Sequence, residues 1–263
     1  PAGALPASEP AMQLLVERHA AYAAARLHVR PELRRRLSGE GCAVHRPKPA
    51  RVGVRPEARR GNDEIFHLSI TPNRADCFSM IGIAREISAA TGLAIKEEIK
   101  PTLKATFQNL QDCHVIDTVG CPRYCSLQIK GANNSSLLPA FFIQYLERGG
   151  IKSISPIVDI TNYVLLKLGQ PLHAYDQNKI NGKISVKQTI KNEKITLLND
   201  QEIQFQGKEL VVSDESGPIA LAGIMGGKLS SIKKDTTDII LESAFFNPTH
   251  ISGRARSFSL NTE

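Results

Sequence analysis

One stretch, residues 158–176, constrains the fold more than any other part of the chain. It reads VDITNYVLLKLGQPLHAYD and begins as a helix. Ser155 can cap the N-terminus of this helix, Pro156 fits its first turn, where a missing N–H costs nothing, and Gly169 is a natural stop. Apolar residues recur between these signals at helical spacing, at Ile157, Ile160, Val164 and Leu168. The sequence therefore predicts a helix over residues 156–168, followed by a Gln-Pro turn.

The turn presents His173 just past the helix, and two interpretations of this residue stay open. A histidine held by a rigid helix and a proline turn is a candidate site residue. A lone histidine is more often buried and bonded to backbone, because most histidines do no chemistry. The surrounding residues alone favour the second interpretation.

Three longer strings carry a family resemblance. They are NYVLLKLGQPLHAYD at residues 162–176, LAGIMGG at 221–227 and LESAFFNPTHISGRARSFSLNT at 241–262. In this order they resemble the tRNA-editing domain of bacterial-type phenylalanyl-tRNA synthetase beta subunits. Residues 69–92 resemble part of the small N-terminal domain of the same family, so the resemblance covers roughly residues 65–263. Strings of this length are more specific than a short motif.

The domain organisation predicted from these strings has four parts. Residues 1–61 form an anomalous basic segment, disordered or foreign, and residues 62–100 a partial N-terminal module in which Asp76 caps a helix ending near Thr91. Residues 101–117 are a linker. Residues 118–263 are the editing domain, cut short at its C-terminal end relative to the family pattern.

Turn signals separate the elements of the predicted editing domain. A helix is predicted over residues 137–148, and short strands are predicted at 123–130, 183–189, 194–198, 202–205, 209–213, 218–222 and 238–241. Helices followed by a run of strands indicate the α+β class. The predicted fold is an editing-domain-like mixed fold with several short strands packed by helices, preceded by a partial small α/β module and a poorly ordered N-terminus.

The charge of the chain is concentrated at one end. Residues 1–60 hold 12 basic and 5 acidic side chains, whereas residues 61–263 hold 21 of each, so the net charge of +7 belongs to the first 60 residues. Such a segment is either a basic arm that binds RNA phosphates or a foreign, frame-shifted or misassembled sequence. The second interpretation is favoured, because the family places a tRNA-binding OB-fold domain before this point and none is recognisable here.

Cysteine usage and hydropathy bear on the cellular compartment. The five cysteines include no CxxC pair, and an odd count is awkward for a disulfide framework. No apolar run is long enough to span a bilayer, and the N-terminus lacks a signal-peptide pattern. A cytoplasmic protein without a membrane partner is expected, and no metal-ligand set is evident in this chain.

The resemblance implies a specific chemical task. Tyrosine is phenylalanine plus a hydroxyl, and an apolar synthetic pocket rejects an added hydroxyl only weakly. Proofreading needs the reverse, a pocket that welcomes the hydroxyl and leaves a polar group unpaired when phenylalanine enters. Glu242 matches the family position that binds the tyrosine hydroxyl. The alternative for Glu242 is a strand-end carboxylate paired with Arg254 or Arg256.

Other candidate residues follow from the same match. Gly223 and Gly226 lie in the AGIMGG string, where glycines let a ligand approach the backbone, and a tight turn is the ordinary alternative. Thr262 can offer a hydroxyl to substrate or water, and His173 can orient a water or contact the terminal adenosine of tRNA. Lys152 stands where the family often has Arg, so it loses a bidentate contact to phosphate or sugar.

Partners and cofactors are implied only by the resemblance. The whole enzyme would be a heterotetramer of two alpha and two beta subunits that uses ATP and magnesium to charge tRNA with phenylalanine, with no cofactor in this chain. Editing would hydrolyse the ester of mischarged tyrosyl-tRNA. The alternatives are a non-catalytic scaffold that binds tRNA and the other subunit, or an inactive truncated product.

Overall fold

The computed structural model describes residues 53–60, 63–71, 73–96, 104–107 and 111–260. Within these residues helices and β-sheets are mixed, so the predicted α+β class is confirmed. None of the described helices is long and apolar enough to cross a membrane. The predictions for residues 1–52 lie outside the described residues.

The N-terminal part begins with a β-hairpin. Strand β1 (Gly53–Arg60) pairs antiparallel with β2 (Asp63–Ser69). The sequence analysis gave residues 1–61 as disordered or foreign, and within that segment the structure describes a strand at residues 53–60. The arginine-rich stretch lacks an apolar pattern, but backbone pairing in a two-stranded ladder does not require one.

Helix α1 (Met80–Thr91) follows a short 3-10 turn at Ala75–Cys77. Its N-cap is Ser79, whose side chain accepts a hydrogen bond from the N–H of Gly82. The predicted cap at Asp76 is wrong, because that carboxylate lies in the 3-10 turn and is engaged by Arg74. The helix ends at Gly92, which adopts the left-handed conformation.

A five-stranded sheet occupies the middle of the second part. Its order is β11-β10-β9-β6-β3, and only β3 and β6 run parallel. The strands are β3 (Cys113–Val115), β6 (Ile184–Gln188), β9 (Leu210–Asp214), β10 (Gly217–Leu221) and β11 (Met225–Gly226). Strand β3 lies within the predicted linker, where three residues gave no recognisable pattern.

A three-stranded sheet and a hairpin complete the β-structure. The sheet has the order β4-β12-β5, with β12 (Ile239–Phe245) between β4 (Arg123–Ile129) and β5 (His173–Asp176). The hairpin pairs β7 (Lys194–Thr196) with β8 (Glu202–Gln204). The predicted strands at β4, β7 and β8 are confirmed. No strand was predicted at β5, and β12 extends beyond the predicted residues 238–241.

Four helices accompany these sheets. They are α2 (Ala140–Arg148), α3 (Pro156–Leu168), α4 (Pro248–Ile251) and α5 (Arg254–Ser257). The prediction for α3 is confirmed at both ends, since Ser155 is its N-cap residue and Gly169 terminates it in the left-handed conformation with a φ of 76°. The Ser155 side chain makes no capping hydrogen bond.

The packing forms layers around the three-stranded sheet. One face of this sheet supplies Tyr175 and Ile240 to a core shared with Val186 and Val212 of the five-stranded sheet. The other face supplies Ala174 and Ile239 to a core shared with Ile157 of α3. The far side of the five-stranded sheet is covered by the β7-β8 hairpin and the C-terminal segment, in a core that includes Leu197, Phe205, Val211, Leu221 and Leu260. Residues on the first face therefore lie between two sheets.

Candidate functional site

The register of β12 determines where Glu242 lies. It stands directly opposite Ser126 of β4 and His173 of β5. Directly opposed residues of antiparallel strands share a face of the sheet, and residues two apart along a strand do so as well. Glu242 therefore shares its face with Ile240, which is completely buried between the two sheets.

The Glu242 carboxylate is buried and bonded to two phenols. Only 7% of the residue is exposed. Its Oε2 atom accepts a hydrogen bond of 2.6 Å from the Tyr175 hydroxyl and one of 3.1 Å from the Tyr124 hydroxyl. The alternative pairing with an arginine is not what the structure shows for Arg254, whose Nε donates to the carbonyl oxygen of His250.

Burial controls the protonation of this group. It raises the pKa of Glu242, although the hydrogen bonds from Tyr175 and Tyr124 act in the opposite direction. Burial and the nearby Glu242 charge also raise the pKa of both phenols, so Tyr124 and Tyr175 stay protonated and donate their hydrogens. The cluster is thus a carboxylate whose hydrogen-bond donors are tyrosine hydroxyls.

His173 lies beside this cluster on β5. Its ring packs edge-on against Tyr175, with centroids 4.6 Å apart and an interplanar angle of 76°. The Nε2 atom is buried and has no hydrogen-bond partner among the described residues. Burial lowers the pKa of His173 to about 4, so the imidazole is neutral at pH 7. A buried, unpartnered ring nitrogen calls for a water or a ligand group.

Gly226 of β11 touches the same ring. A Cβ atom placed on Gly226 would lie 2.4 Å from Cε1 and 2.5 Å from Nε2 of His173. This is closer than carbon and nitrogen atoms can approach, so only glycine fits beside the ring at this position. The structure therefore brings three predicted residues together: His173, Gly226 and Glu242.

Gly223 has a different reason to be glycine. It adopts a φ of +67° in the turn between β10 and β11, where the N–H of Ile224 donates to the carbonyl oxygen of Leu221. A Cβ here would meet Phe246 at 3.1 Å. The tight-turn interpretation thus accounts for Gly223, and its role in binding a substrate stays a prediction.

Lys152 lies at the other end of α3 from His173. The helix has 13 residues, which at the usual rise amounts to about 20 Å. Lys152 is exposed, and the loop that carries it is held by the buried Asp159, which accepts hydrogen bonds from Ser153 Oγ at 2.6 Å and Ile154 N–H at 2.8 Å. A substrate that contacts both Lys152 and His173 would have to span the length of α3, about 20 Å. Thr262 lies outside the described residues.

Two residues of the cluster were missed by the sequence analysis, Tyr124 and Tyr175. Both lie in strings that had been read, RYCSLQIK and HAYD. The available signal was the spacing of two between His173 and Tyr175, which places both on one face of a strand. Because no strand was predicted at residues 173–176, this spacing went unused.

A second group of polar residues lies in the N-terminal part. Asp76, Cys77 and Glu86 place possible metal-ligand atoms within 4.8 Å of one another. Arg74 already lies among them, 2.8 Å from Asp76 Oδ2, 2.6 Å from Glu86 Oε1 and 3.1 Å from Cys77 Sγ. A cation would have to displace this guanidinium, so the group is an ion-pair network.

Comparison with known proteins decides the family. Residues 120–263 match the family model described as the B3/4 domain. The chain belongs to the B3/4 domain family. The match includes β4, β5 and β12, and with them every member of the cluster around Glu242.

Relatives of this B3/4 protein extend the likeness beyond the domain. The phenylalanine–tRNA ligase beta subunit of Photorhabdus laumondii is 45% identical over 202 residues, which is 77% of this chain and 25% of the relative. The beta subunit of Acinetobacter baylyi is 44% identical over 218 residues, 82% of this chain and 27% of the relative. The predicted resemblance to phenylalanyl-tRNA synthetase beta subunits is confirmed. The chain spans about a quarter of the length of these relatives.

One solved structure also aligns with the chain. It is an N-terminal fragment of the phenylalanyl-tRNA synthetase beta-subunit from Pyrococcus horikoshii, with a TM-score of 0.42 and 18% identity, covering 74% of this chain and 58% of that chain. At this TM-score the likeness supports no conclusion about the fold.

Proposed function

We propose that this chain carries the hydrolytic proofreading site of a phenylalanine–tRNA ligase beta subunit, and that its substrate is tyrosyl-tRNA. The observation that carries the proposal is the buried Glu242 carboxylate, which already accepts hydrogen bonds from two tyrosine hydroxyls. A group that is suited to two phenols of the protein is chemically suited to the phenol of a tyrosyl ester. Phenylalanine offers no such donor.

The second oxygen of Glu242 is the acceptor in this proposal. Both phenols donate to Oε2, and no donor bonds Oε1 among the described residues. A tyrosyl hydroxyl would bond Oε1, whereas a phenylalanyl ring would seal the carboxylate from water without offering a donor. Sites built to bond a hydroxyl reject the analogue without it strongly, so we expect selectivity of about 100-fold or more.

Hydrolysis requires a positioned water rather than a covalent nucleophile. The ester is already activated, so orientation of the water and stabilisation of the oxyanion supply much of the rate. Neutral His173 can accept a hydrogen bond from that water at Nε2. The water oxygen bonds to the carbonyl carbon, the ester bond to the ribose oxygen breaks, and that ribose oxygen takes up the proton that the water gives up, which restores the ribose hydroxyl. The products are free tyrosine and uncharged tRNA.

The remaining assignments follow the same proposal. Gly226 keeps the space beside His173 open, Thr262 offers a hydroxyl to the substrate or water, and Lys152 contacts the tRNA backbone away from the ester. tRNA and an alpha subunit are the proposed partners, in a heterotetramer of two alpha and two beta subunits in the cytoplasm. ATP and magnesium belong by resemblance to the charging reaction of the whole enzyme, and none of these residues is assigned to them.

A second candidate function is a non-catalytic scaffold that binds tRNA and the other subunit. One observation favours it: the two phenols supply Glu242 with donors without any substrate. In that case Glu242 would be a structural carboxylate at the centre of a core.

The test is deacylation of tyrosyl-tRNA and phenylalanyl-tRNA by this chain, and by the whole beta subunit with its alpha subunit. We expect selective clearance of the tyrosyl ester and a loss of selectivity in Glu242→Gln. Glu209→Gln is the matched control, because Glu209 is also a buried carboxylate but bonds Thr189 and three backbone N–H groups elsewhere.

The outcomes separate the two functions. Selective clearance that depends on Glu242 and not on Glu209 supports the editing site. Equal clearance of both esters by every variant would contradict the proposed role of Glu242, and no clearance by either protein would leave the scaffold.

A further inference from the structure

Two tyrosines beside Glu242 make the same contact with the same oxygen atom. Tyr175 comes from β5 and Tyr124 from β4, the two strands that flank β12. They are 67 and 118 residues away from Glu242 in the chain, and their hydroxyls converge on Oε2. We name Tyr124 and Tyr175 the phenol pair.

We propose that the phenol pair positions Glu242 for recognition of the substrate, by holding Oε2 so that Oε1 accepts the tyrosyl hydroxyl. This inference rests on the proposed editing function and adds two specificity-determining residues to it. Neither tyrosine needs to touch the substrate, so both are positioning residues.

The geometry supports separate roles for the two carboxylate oxygens, with Oε2 bonded to the protein and Oε1 left for the substrate. A carboxylate can accept about four hydrogen bonds, two at each oxygen. The phenol pair supplies two donors to Oε2, whereas no described residue donates to Oε1. The two bonds also prevent the carboxylate from rotating, because rotation would break both at once.

The side chains around Glu242 determine what stabilises its anionic form. The titratable groups that face Glu242 from the neighbouring elements are the phenol pair, His173 of β5, Cys113 of β3 and Cys121 before β4. None of these side chains is a cation at neutral pH, since His173 is neutral and the thiols and phenols are protonated. The phenol pair is therefore the main source of stabilisation for the anionic form of Glu242.

The two tyrosines are not equivalent in this role. The hydrogen bond from Tyr175 is shorter, 2.6 Å against 3.1 Å, and Tyr175 is completely buried whereas Tyr124 is partly buried. Short hydrogen bonds to a charged group are the stronger ones. We expect Tyr175→Phe to lower the tyrosine-over-phenylalanine selectivity by about 10- to 100-fold and Tyr124→Phe to lower it less.

The experiment measures the selectivity of deacylation for wild type, Tyr175→Phe, Tyr124→Phe and the control Tyr163→Phe. The variants are made in whichever protein clears the tyrosyl ester, either this chain or the whole beta subunit with its alpha subunit. Tyr163 is a buried tyrosine of α3 that packs on Phe142, outside the phenol pair. Loss of selectivity in the first two variants, with the rate on phenylalanyl-tRNA and the selectivity of the control unchanged, is the expected result.

A second readout does not depend on activity. Infrared difference spectra of each variant against the same variant carrying Glu242→Gln report whether Glu242 is a carboxylate or a carboxylic acid. We expect a carboxylate in wild type at pH 7.5 and a carboxylic acid fraction in Tyr175→Phe. This shift would not follow from a loss of packing alone.

The outcomes distinguish the inference from the function on which it rests. If wild type is selective and both phenylalanine variants remain selective, the inference is overturned and the editing function stands. If wild type is not selective, both the editing function and the recognition role fall. If the spectra of wild type and Tyr175→Phe are the same, the phenol pair does not hold the carboxylate and the inference is overturned as well. Should Tyr175→Phe fail to fold, Tyr124→Phe carries the same test.

Discussion

The contact between Gly226 and His173 gives a quantitative prediction about the site. A methyl group on Gly226 would lie 2.4 Å from Cε1 of the ring. The backbone of Gly226 does not need the positive φ that favours glycine, so alanine is allowed there apart from this collision. Gly226→Ala therefore isolates the steric effect of one methyl group on His173.

The expected magnitude follows from two opposing effects. Overpacking of a well-filled core costs about 1–3 kcal/mol, and replacing glycine by alanine recovers about 0.4–1 kcal/mol from the unfolded chain. We expect a net loss of about 1–2 kcal/mol in the free energy of unfolding. His173→Ala removes the ring and should itself cost about 2 kcal/mol or more through the cavity it leaves.

The decisive measurement is a double-mutant cycle by chemical denaturation. With the ring gone the methyl group has space, so the double variant Gly226→Ala with His173→Ala should be more stable than the sum of the single effects by the overpacking cost, about 1–3 kcal/mol. The control cycle uses Gly217→Ala. A Cβ on Gly217 meets no atom within 4 Å, and the backbone cost of alanine at its φ of +136° does not involve His173. Gly217→Ala should be additive with His173→Ala. Additivity within about 0.5 kcal/mol in the Gly226 cycle would refute the contact.

Three further predictions concern stability. Burial holds the pKa of His173 at about 4, below the value of about 6.5 in an unfolded chain. Because the unfolded state then binds an extra proton between pH 6.5 and 4, the free energy of unfolding should fall by up to about 3 kcal/mol as the pH drops through this window. Thermal melts at several pH values should show a weaker pH dependence of stability in His173→Gln. Ser79→Ala removes the side-chain cap of α1 and should cost about 1 kcal/mol in urea denaturation, whereas Ser155→Ala, at an N-cap position without a capping hydrogen bond, should cost close to nothing. Asp159→Ala removes a buried carboxylate that accepts hydrogen bonds from Ser153 and Ile154; it should cost about 2–4 kcal/mol, and unchanged stability would show that the Lys152 loop needs no such anchor.

The elements that the sequence predicted are those with local signals. Helix α3 follows from an N-cap residue, a proline in the first turn and a left-handed glycine, all within 15 residues of chain. The strands from β6 to β10 follow from turn residues at their ends. Asp76 shows the limit of such signals, because its carboxylate was taken by Arg74 and Ser79 became the cap of α1 instead. Both Asp76 and Ser79 are residue types that can cap a helix, and the sequence pattern alone does not show which of them does.

The candidate site depends on pairings that no local pattern contains. The middle strand β12 is last in the chain, between strands that begin at residues 123 and 173. The family strings placed His173, Gly226 and Glu242 in one domain, but only the register places them within one cluster. Tyr124 had no signal of its own, since its contact with Glu242 depends on the pairing of β4 with β12 over a separation of 118 residues.

The phenol pair also bears on why a core position holds a carboxylate at all. A glutamate between two sheets loses hydration, and isolated burial of such a charge is costly. Leucine would fill the space without that cost, and two tyrosines with no acceptor would then leave two buried hydroxyls unpaired. Glu242 and the phenol pair therefore stabilise each other, and each is costly without the others.

A structural network of this kind would be complete when every acceptor is used. The one feature that a purely structural role leaves without a reason is the second oxygen, Oε1, to which no described residue donates. Glu242 stands directly opposite His173, whose buried Nε2 has no hydrogen-bond partner among the described residues. An oxygen and a ring nitrogen without partners among the described residues, on side chains that share one face of a sheet, are what a ligand with a hydroxyl and an attacking water would satisfy.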